Sequence, residues 1–239
     1  MSVLAGRVAV VTGAAGAIGS AVAERLASQG AQVLLLDRRQ GEAAAGASIL
    51  PCDVASEAEV ERAFAALDGG PFDILVNCAG TTGPVGPLEA CSLADLELVL
   101  AVNLRGSFLC CRAASSRMGR GGAIVNLAST AGLVGSARLG AYALSKAAVI
   151  SMTRTLALTL APRGIRVNAV APGSIEGEML DGTLRAADPD AERRAIAALH
   201  PLGRLGTAAE VADAVLFLAG PSAAFVTGTI LPVDGGRLA

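Results

Sequence analysis

The stretch that decides the fold runs from residue 7 to residue 37, "RVAVVTGAAGAIGSAVAERLASQGAQVLLLD". Residues 7–12 are a short valine-rich run, long enough for a buried strand and too short for a helix. Glycines punctuate the turn that follows. Residues 17–30 then read as a helix that stops at Gly30. "AQVLLLD" (31–37) is a second apolar run. Runs that are apolar throughout, rather than alternating, are buried on both faces, as in a parallel sheet covered by helices.

The same rhythm continues along the chain. Strand-like runs fall at 47–54, 72–80, 121–129, 164–173 and 228–236. Helical stretches fall at 56–70, 92–117, 140–161 and 207–219, the first opening on a capping-box pattern of Ser56 and Glu59. The expectation is an α/β fold in one domain, 1–239. It is a Rossmann-like, doubly wound parallel sheet of about seven strands with helices on both faces. Residues 174–206 break the pattern. They read as an irregular segment after a strand end, the usual place of a substrate lid.

Composition narrows the function. Hydrophobic residues make up 53% of the 239 and aromatics 3%, so the core must be built from Ala, Val, Leu and Ile. The formal net charge is −2 and the arginines are scattered, which gives nucleic acid or an anionic membrane nothing to hold. No apolar run is long enough for a bilayer span. The apolar N-terminal run has a signal-like look, but Gly13, Gly16 and Gly19 interrupt it, and a cytoplasmic location is expected. The five cysteines (Cys52, Cys78, Cys91, Cys110 and Cys111) show no metal-type spacing with the lone His200, and read as reduced, mostly buried thiols.

Two residues stand out. Tyr142 is the only tyrosine, and Lys146 is the only lysine beside 18 arginines. Residues four apart share a helix face. A cation near a phenol favours the phenolate, so the pair can act as a proton donor and its tuner. The plain alternative is a partly buried Tyr beside a solvated Lys. The turn 13–19 also suits a pyrophosphate, since a helix N-terminus offers free N–H groups and partial positive charge. Asp37, at the end of the second run, can accept from adenosine ribose hydroxyls and would repel a 2′-phosphate. Arg38 and Arg39 pull the other way.

Taken together these motifs resemble the short-chain dehydrogenase/reductase family, in its smaller oxidoreductase branch. Ser129 lies thirteen positions before Tyr142 in the Tyr-x-x-x-Lys pattern. "TGAAGAIG" is similar to the family's cofactor turn, "CDV" (52–54) to its adenine-flanking segment and "NCAG" (77–80) to its Asn-Asn-Ala-Gly element. "AVNLRG" (101–106) carries an Asn at the family's site position. "VNAVAPGSI" (167–175) is similar to the segment beside the nicotinamide, and "FVTGTILPVDGG" (225–236) to the closing strand.

The resemblance implies a catalytic set of Asn103, Ser129, Tyr142 and Lys146. Tyr142 would exchange the substrate proton, Ser129 would bind the carbonyl, and Lys146 would lower the Tyr pKa and hold the nicotinamide ribose. Asn103 would anchor a relay water. It implies cofactor contacts from Gly13, Gly16, Ala17, Ile18, Gly19, Asp37, Arg38, Asp53, Val54, Asn77, Ala79, Gly80, Pro172, Gly173 and Ile175, beside Tyr142 and Lys146. No metal is expected. The implied activity is hydride transfer between NAD, rather than NADP, and a secondary alcohol or ketone. The implied assembly is a homotetramer built through the long fourth and fifth helices and the last strand.

Departures from the family pattern sit at Ala17, usually Gly, at Gly177, often Thr, and in a lid that lacks aromatics, which disfavours flat substrates. That lid carries Glu178, Met179, Arg185, Arg193, Arg194 and His200, the last read as a lid residue able to touch substrate. Arg138 reads as a solvated or interface residue, or a partner for an anionic or polyol substrate. The rival readings are an NADPH-dependent 3-oxoacyl-carrier-protein reductase and a non-catalytic dinucleotide sensor.

Overall fold

In the computed structural model, residues 2–39, 49–66 and 72–239 are described. The elements in order are β1 (Val8–Thr12), α1 (Ala17–Ser28), β2 (Gln32–Asp37), β3 (Ile49–Pro51), α2 (Glu57–Ala65) and β4 (Ile74–Asn77). Then come α3 (Leu93–Leu100), a π-helical turn (Ala101–Gly106), α4 (Ser107–Arg117), β5 (Ala123–Leu127), α5 (Ala131–Val134) and α6 (Gly140–Leu160). The chain closes with β6 (Arg166–Pro172), α7 (Glu178–Asp181), α8 (Pro189–Ala197), α9 (Ala208–Ala219) and β7 (Ile230–Val233).

The strands form one seven-stranded sheet in the order β3-β2-β1-β4-β5-β6-β7. Every neighbouring pair is parallel. The strands alternate between two apolar layers because successive side chains point to opposite faces. Val10 and Leu75 join a layer with Val60, Phe64, Leu109 and Leu160 of α2, α4 and α6. Ala9, Val11, Ile74 and Val76 join a layer with Val22 and Leu26 of α1 and Val211, Val215 and Leu218 of α9. The strand order reverses between β1 and β4, so a crevice opens at the carboxyl ends of these two strands.

The structure corrects several local readings. The stretch 92–117 is not one regular helix: a π-helical turn interrupts it at 101–106. The irregular segment 174–206 contains α7 and α8. α8 has no fully buried residue, only a partly buried face of Glu192, Arg193, Ile196 and Ala197, but its start is written in the sequence. Asp188 caps it by accepting from Ala191 N at 3.0 Å, and Pro189 opens its first turn. The capping box at Ser56 is half formed. Ser56 Oγ accepts from Glu59 N, whereas the Glu59 carboxylate accepts from Asp53 N at 2.8 Å. A complete box stands at Thr207 and Glu210. The third strand is shorter than 47–54, and residues 47–48 of that reading lie outside the described residues, as do the closing glycines of 56–70.

Helix α1 packs so close to the turn before it that a methyl at Gly19 would meet Gly13 O and come 2.8 Å from Gly13 C. Gly86, by contrast, has open space around its missing side chain. Gly19→Ala is therefore expected to lower the unfolding free energy by about 3 kcal/mol. Gly86→Ala should stay within about 0.5 kcal/mol of the wild type. Urea unfolding of both variants checks the contrast, and equal effects would contradict it.

Candidate active site

The β1–α1 turn forms the floor of the crevice. Gly13 takes φ +65°, and a Cβ there would lie 2.6 Å from Ala79 N, so the turn touches the loop leaving β4. Gly16 is the N-cap of α1 with no side-chain cap, and the first turn carries no acid. The N-terminal N–H groups and the positive end of the helix dipole therefore face the crevice without a carboxylate against them. Asp37, 8% exposed, ends β2 beside this turn. Its Oδ2 accepts from Ala15 N at 3.0 Å and its Oδ1 from Arg39 N at 2.9 Å. A carboxylate has about four lone-pair positions, so two remain for hydroxyl donors. Arg38 is exposed, whereas Arg39 folds back toward the turn, its Nη2 3.9 Å from where a Gly16 Cβ would be.

The wall of the crevice is built from β4 and the π-turn. Ala79 N donates to Thr12 Oγ1 at 3.2 Å. Asn103, fully buried in the π-turn, accepts from Thr81 N at 2.8 Å and donates to Thr81 O at 2.8 Å and Ser145 Oγ at 2.9 Å. A Cβ on Gly80 would come 3.3 Å from Asn103 Oδ1 and 3.6 Å from Lys146 Nζ, so these three positions crowd together. Val54, after β3, packs where a Gly106 side chain would sit, at 2.7 Å. Asp53 turns on its own loop, accepting from Ala55 N at 2.9 Å. Asn77 donates to Asn126 Oδ1 at 2.8 Å, and Asn126 donates to Thr153 Oγ1 at 2.9 Å.

Ser129 lies just beyond β5, and Tyr142 and Lys146 occupy the first two turns of α6. The Ser129 hydroxyl accepts from Ala131 N at 3.2 Å and stands near enough to the Tyr142 side chain to lower its pKa. Lys146 is 4% exposed; its Nζ donates to Leu127 O at 2.7 Å and lies 5.6 Å from the Tyr142 ring centroid. Burial raises the Tyr142 pKa above its ordinary value, and the Ser129 hydroxyl pulls it partly back. This corrects the expectation of a Tyr lowered by its Lys. The ammonium stands over the ring face, bonded to a carbonyl, and desolvation of the phenolate outweighs its field. Burial also lowers Lys146, from 10.5 to about 8, with Cys78 acting in the opposite direction.

The far side is made by the end of β6. Pro172 O accepts from Thr130 N at 3.0 Å, which ties that end to the loop of Ser129. Gly173 is forced by His200, whose Cε1 would lie 2.6 Å from a Cβ there. His200 is 2% exposed, with Nε2 facing Ser174 N and Nδ1 at 2.6 Å from Asp234 O. From this buried position it pins two strand ends. Ile175 pairs with Gly206, so the segment between them leaves and returns at one place. Arg138, four residues before Tyr142, binds Glu192 Oε1 of α8 at 2.7 Å and Thr183 O at 3.0 Å. Glu192 also accepts from Arg185 N and Ala186 N. The backbone donors of Ala186 and Arg185, then Arg138, hold Glu192 at a pKa of about 2.

The five cysteines are free; burial pushes Cys52 to about 11 and Cys78 and Cys111 to about 12. Among the described residues no cluster of three or more His, Cys, Asp or Glu could hold a metal, and no helix is long and apolar enough to cross a membrane. The uncapped α1 N-terminus, the Asp37 carboxylate and the crowding of Gly80, Asn103 and Lys146 fit a dinucleotide laid across the crevice.

A family model described as enoyl-(acyl carrier protein) reductase matches residues 13–237. The chain is 41% identical over 246 residues to the cis-4-hydroxycyclohexanecarboxylate dehydrogenase of Sinomonas cyclohexanicum, covering 98% of this chain and 97% of that one. It superposes with a TM-score of 0.91 on the ligand-free aldohexose dehydrogenase of Thermoplasma acidophilum, at 34% identity over 99% and 95% of the chains. NAD+-bound xylitol dehydrogenase gives a TM-score of 0.90 at 35% identity over 98% and 99%.

Native Lys146 releases its proton near pH 8, whereas its ordinary value is 10.5. Between these values the unfolded chain binds more protons, so Lys146 makes the fold gain stability as pH rises. Lys146→Met lacks that gain; Cys52, Cys110 and Cys111 contribute to both proteins alike, and Cys78, whose titration senses Lys146, is replaced by Ala in both. The protein that keeps Lys146 is expected to improve on the variant by about 3 kcal/mol from about pH 7 to about pH 11. Urea unfolding across this range measures the difference; a constant difference would mean the ammonium is not desolvated.

Proposed function

The chain belongs to the short-chain dehydrogenase/reductase family, and on that basis we propose that it is an NAD(H)-dependent oxidoreductase acting between a secondary alcohol and a ketone, with Tyr142 as general acid/base. The observation that carries this reading is the buried Lys146 ammonium over the Tyr142 ring, 5.6 Å from its centroid, with the Ser129 hydroxyl near enough to lower the Tyr142 pKa. A bound dinucleotide would supply the hydride acceptor or donor at its nicotinamide.

The chain's own residues handle position and protons. Ser129 Oγ donates to the substrate oxygen and stabilises negative charge as it develops there. In reduction Tyr142 Oη gives that oxygen a proton; in oxidation it takes the hydroxyl proton away. Its raised pKa suits the protonated, donating form at neutral pH. Lys146 holds a positive charge against the ring and can also release a proton near pH 8, which Arg cannot do. Asn103 is a positioning residue: its amide clamps the backbone at Thr81 and Ser145 of α6, fixing the wall against which Lys146 stands. Residues 174–206 form the substrate lid, pinned at its base by His200 and on its side by Arg138. Relatives named for a hydroxycyclohexane acid, an aldohexose and xylitol make a ring or polyol alcohol the first substrate to try.

The acyl-carrier-protein reductase reading draws on the description of the matching family and on Arg38 and Arg39. Asp37 at the strand end opposes the 2′-phosphate that reading needs. The subunits would assemble as a homotetramer through the outer face of α3, α4 and α6. There a groove of about 980 Å³ is lined by Leu98, Leu104, Phe108 and Met152. Leu98 is 54% and Phe108 45% exposed, a large apolar surface for a free subunit.

Two experiments test these assignments. Tyr142→Phe should keep dinucleotide binding, followed by fluorescence titration, and lose at least about 100-fold in kcat; near-normal turnover would remove Tyr142 from the chemistry. Phe108→Glu should shift the protein to a smaller species in light scattering, since a charge cannot be buried unpaired. An unchanged mass would place the subunit contact elsewhere.

A further inference from the structure

The lid meets the cofactor turn at one defined place. Gly177 takes φ +132°, and a Cβ on it would lie 3.3 Å from Ala17 Cβ in the first turn of α1. The two departures from the family pattern are therefore neighbours: a larger residue at 17 faces a smaller one at 177. This close approach brings Glu178, the first residue of α7, to Arg39, with Oε2 3.3 Å from Nη1. The same guanidinium has its Nε 3.8 Å from Asp37 Oδ1. Its Nη2 lies against Gly16, at the mouth of the α1 N-terminus. Arg39 is thus held between two carboxylates, one on β2 and one on α7.

We propose that Glu178 is a specificity residue for the dinucleotide. It occupies the Arg39 guanidinium and adds a second negative charge beside Asp37, so that a ribose bearing a 2′-phosphate is refused and a ribose bearing hydroxyls is accepted. The proposal rests on the cofactor reading given above and extends it from the strand end to the lid. The chemistry is a competition. A 2′-phosphate needs an arginine and a site free of like charge. Arg39 offers the first only when Glu178 releases it, and Asp37 and Glu178 deny the second. Ribose hydroxyls need acceptors, which the two carboxylates supply. Side-chain exposures of 52% for Arg39 and 86% for Glu178 make the pair solvent-screened, so its effect on selection is modest rather than absolute.

The test uses the whole chain and reads binding, not turnover. Wild type, Glu178→Gln and the double variant Glu178→Gln/Arg39→Gln are titrated with NADH and with NADPH, followed by nucleotide fluorescence. Glu178→Gln should raise the NADPH-to-NADH affinity ratio roughly two- to fivefold, and adding Arg39→Gln should take away the part of the rise that comes from the freed guanidinium. The rise should also shrink at high salt, as an ion-pair effect must. A ratio unchanged by Glu178→Gln, or a rise undiminished by loss of Arg39, would overturn the proposal while leaving the cofactor reading intact. Binding of neither nucleotide by the wild type would overturn the cofactor reading, and this proposal with it.

Discussion

The contact between Gly13 and Ala79 is the constraint on which the site depends. β1 and β4 lie side by side, and beyond their ends the chain turns to opposite faces of the sheet, toward α1 and toward the π-turn. A side chain at 13 would collide with the Ala79 backbone, so a glycine there lets the two exits touch. The Thr12 hydroxyl ties them again by accepting from Ala79 N. With that corner closed, the loop that follows carries Gly80 and Thr81 against Asn103 and Lys146, while Asp37 reaches across to Ala15 N. One tight corner thus fixes both the acid beside the turn and the base on the far wall.

Around this corner the protein buries polar groups and satisfies nearly all of them. Asn77, Asn126 and Thr153 form a chain linking β4, β5 and α6. Asn103 spends its amide on three partners. A buried amide left unmade costs about 1–3 kcal/mol, so these chains specify how the elements meet. Among the described residues Asn77 Oδ1 alone is buried without a partner. Lys146 is a different case. Its ammonium meets a carbonyl and a ring face rather than a carboxylate. Desolvation is then only partly offset, and the pKa falls. A stable fold has no use for such a charge; a proton-handling site does.

Much of this was legible in the sequence. Valine runs with glycine turns between them fix a parallel sheet, because little else buries both faces of so many short strands. Tyr142, Lys146 and Ser129 were visible as types and spacings. What the sequence did not disclose depends on which atoms meet in space. Lys146 over the ring face, not at the hydroxyl, follows from the path of β5 beneath α6. His200 looked like a residue for substrate because it is the only histidine; it proves to be a pin because Gly173 and Asp234 arrive on either side. α8 was missed because none of its side chains is fully buried and its partly buried face mixes charged Glu192 and Arg193 with Ile196 and Ala197, although Asp188 and Pro189 announced its start. The π-turn gave no sequence signal, since its departure from α geometry is a matter of how Asn103 is pulled toward Thr81.

The composition itself now has a physical account. The arginines that matter here are used as fixed forks. Arg166 donates to the carbonyls of Leu218, Ala219 and Gly220, closing the C-terminal end of α9. Arg204 grips Glu210, and Arg138 grips Glu192 and Thr183 O. All of these need a charge that never leaves and a planar array of donors, which guanidinium supplies. A buried position over a phenol needs the opposite: a compact cation that is able to lose its proton within reach of neutral pH. Lysine alone meets that need, and burial brings it there. A chain that carries 18 arginines and a single lysine has separated these two tasks by residue type, giving the permanent charges to fixed forks and the removable one to the buried place beside Tyr142.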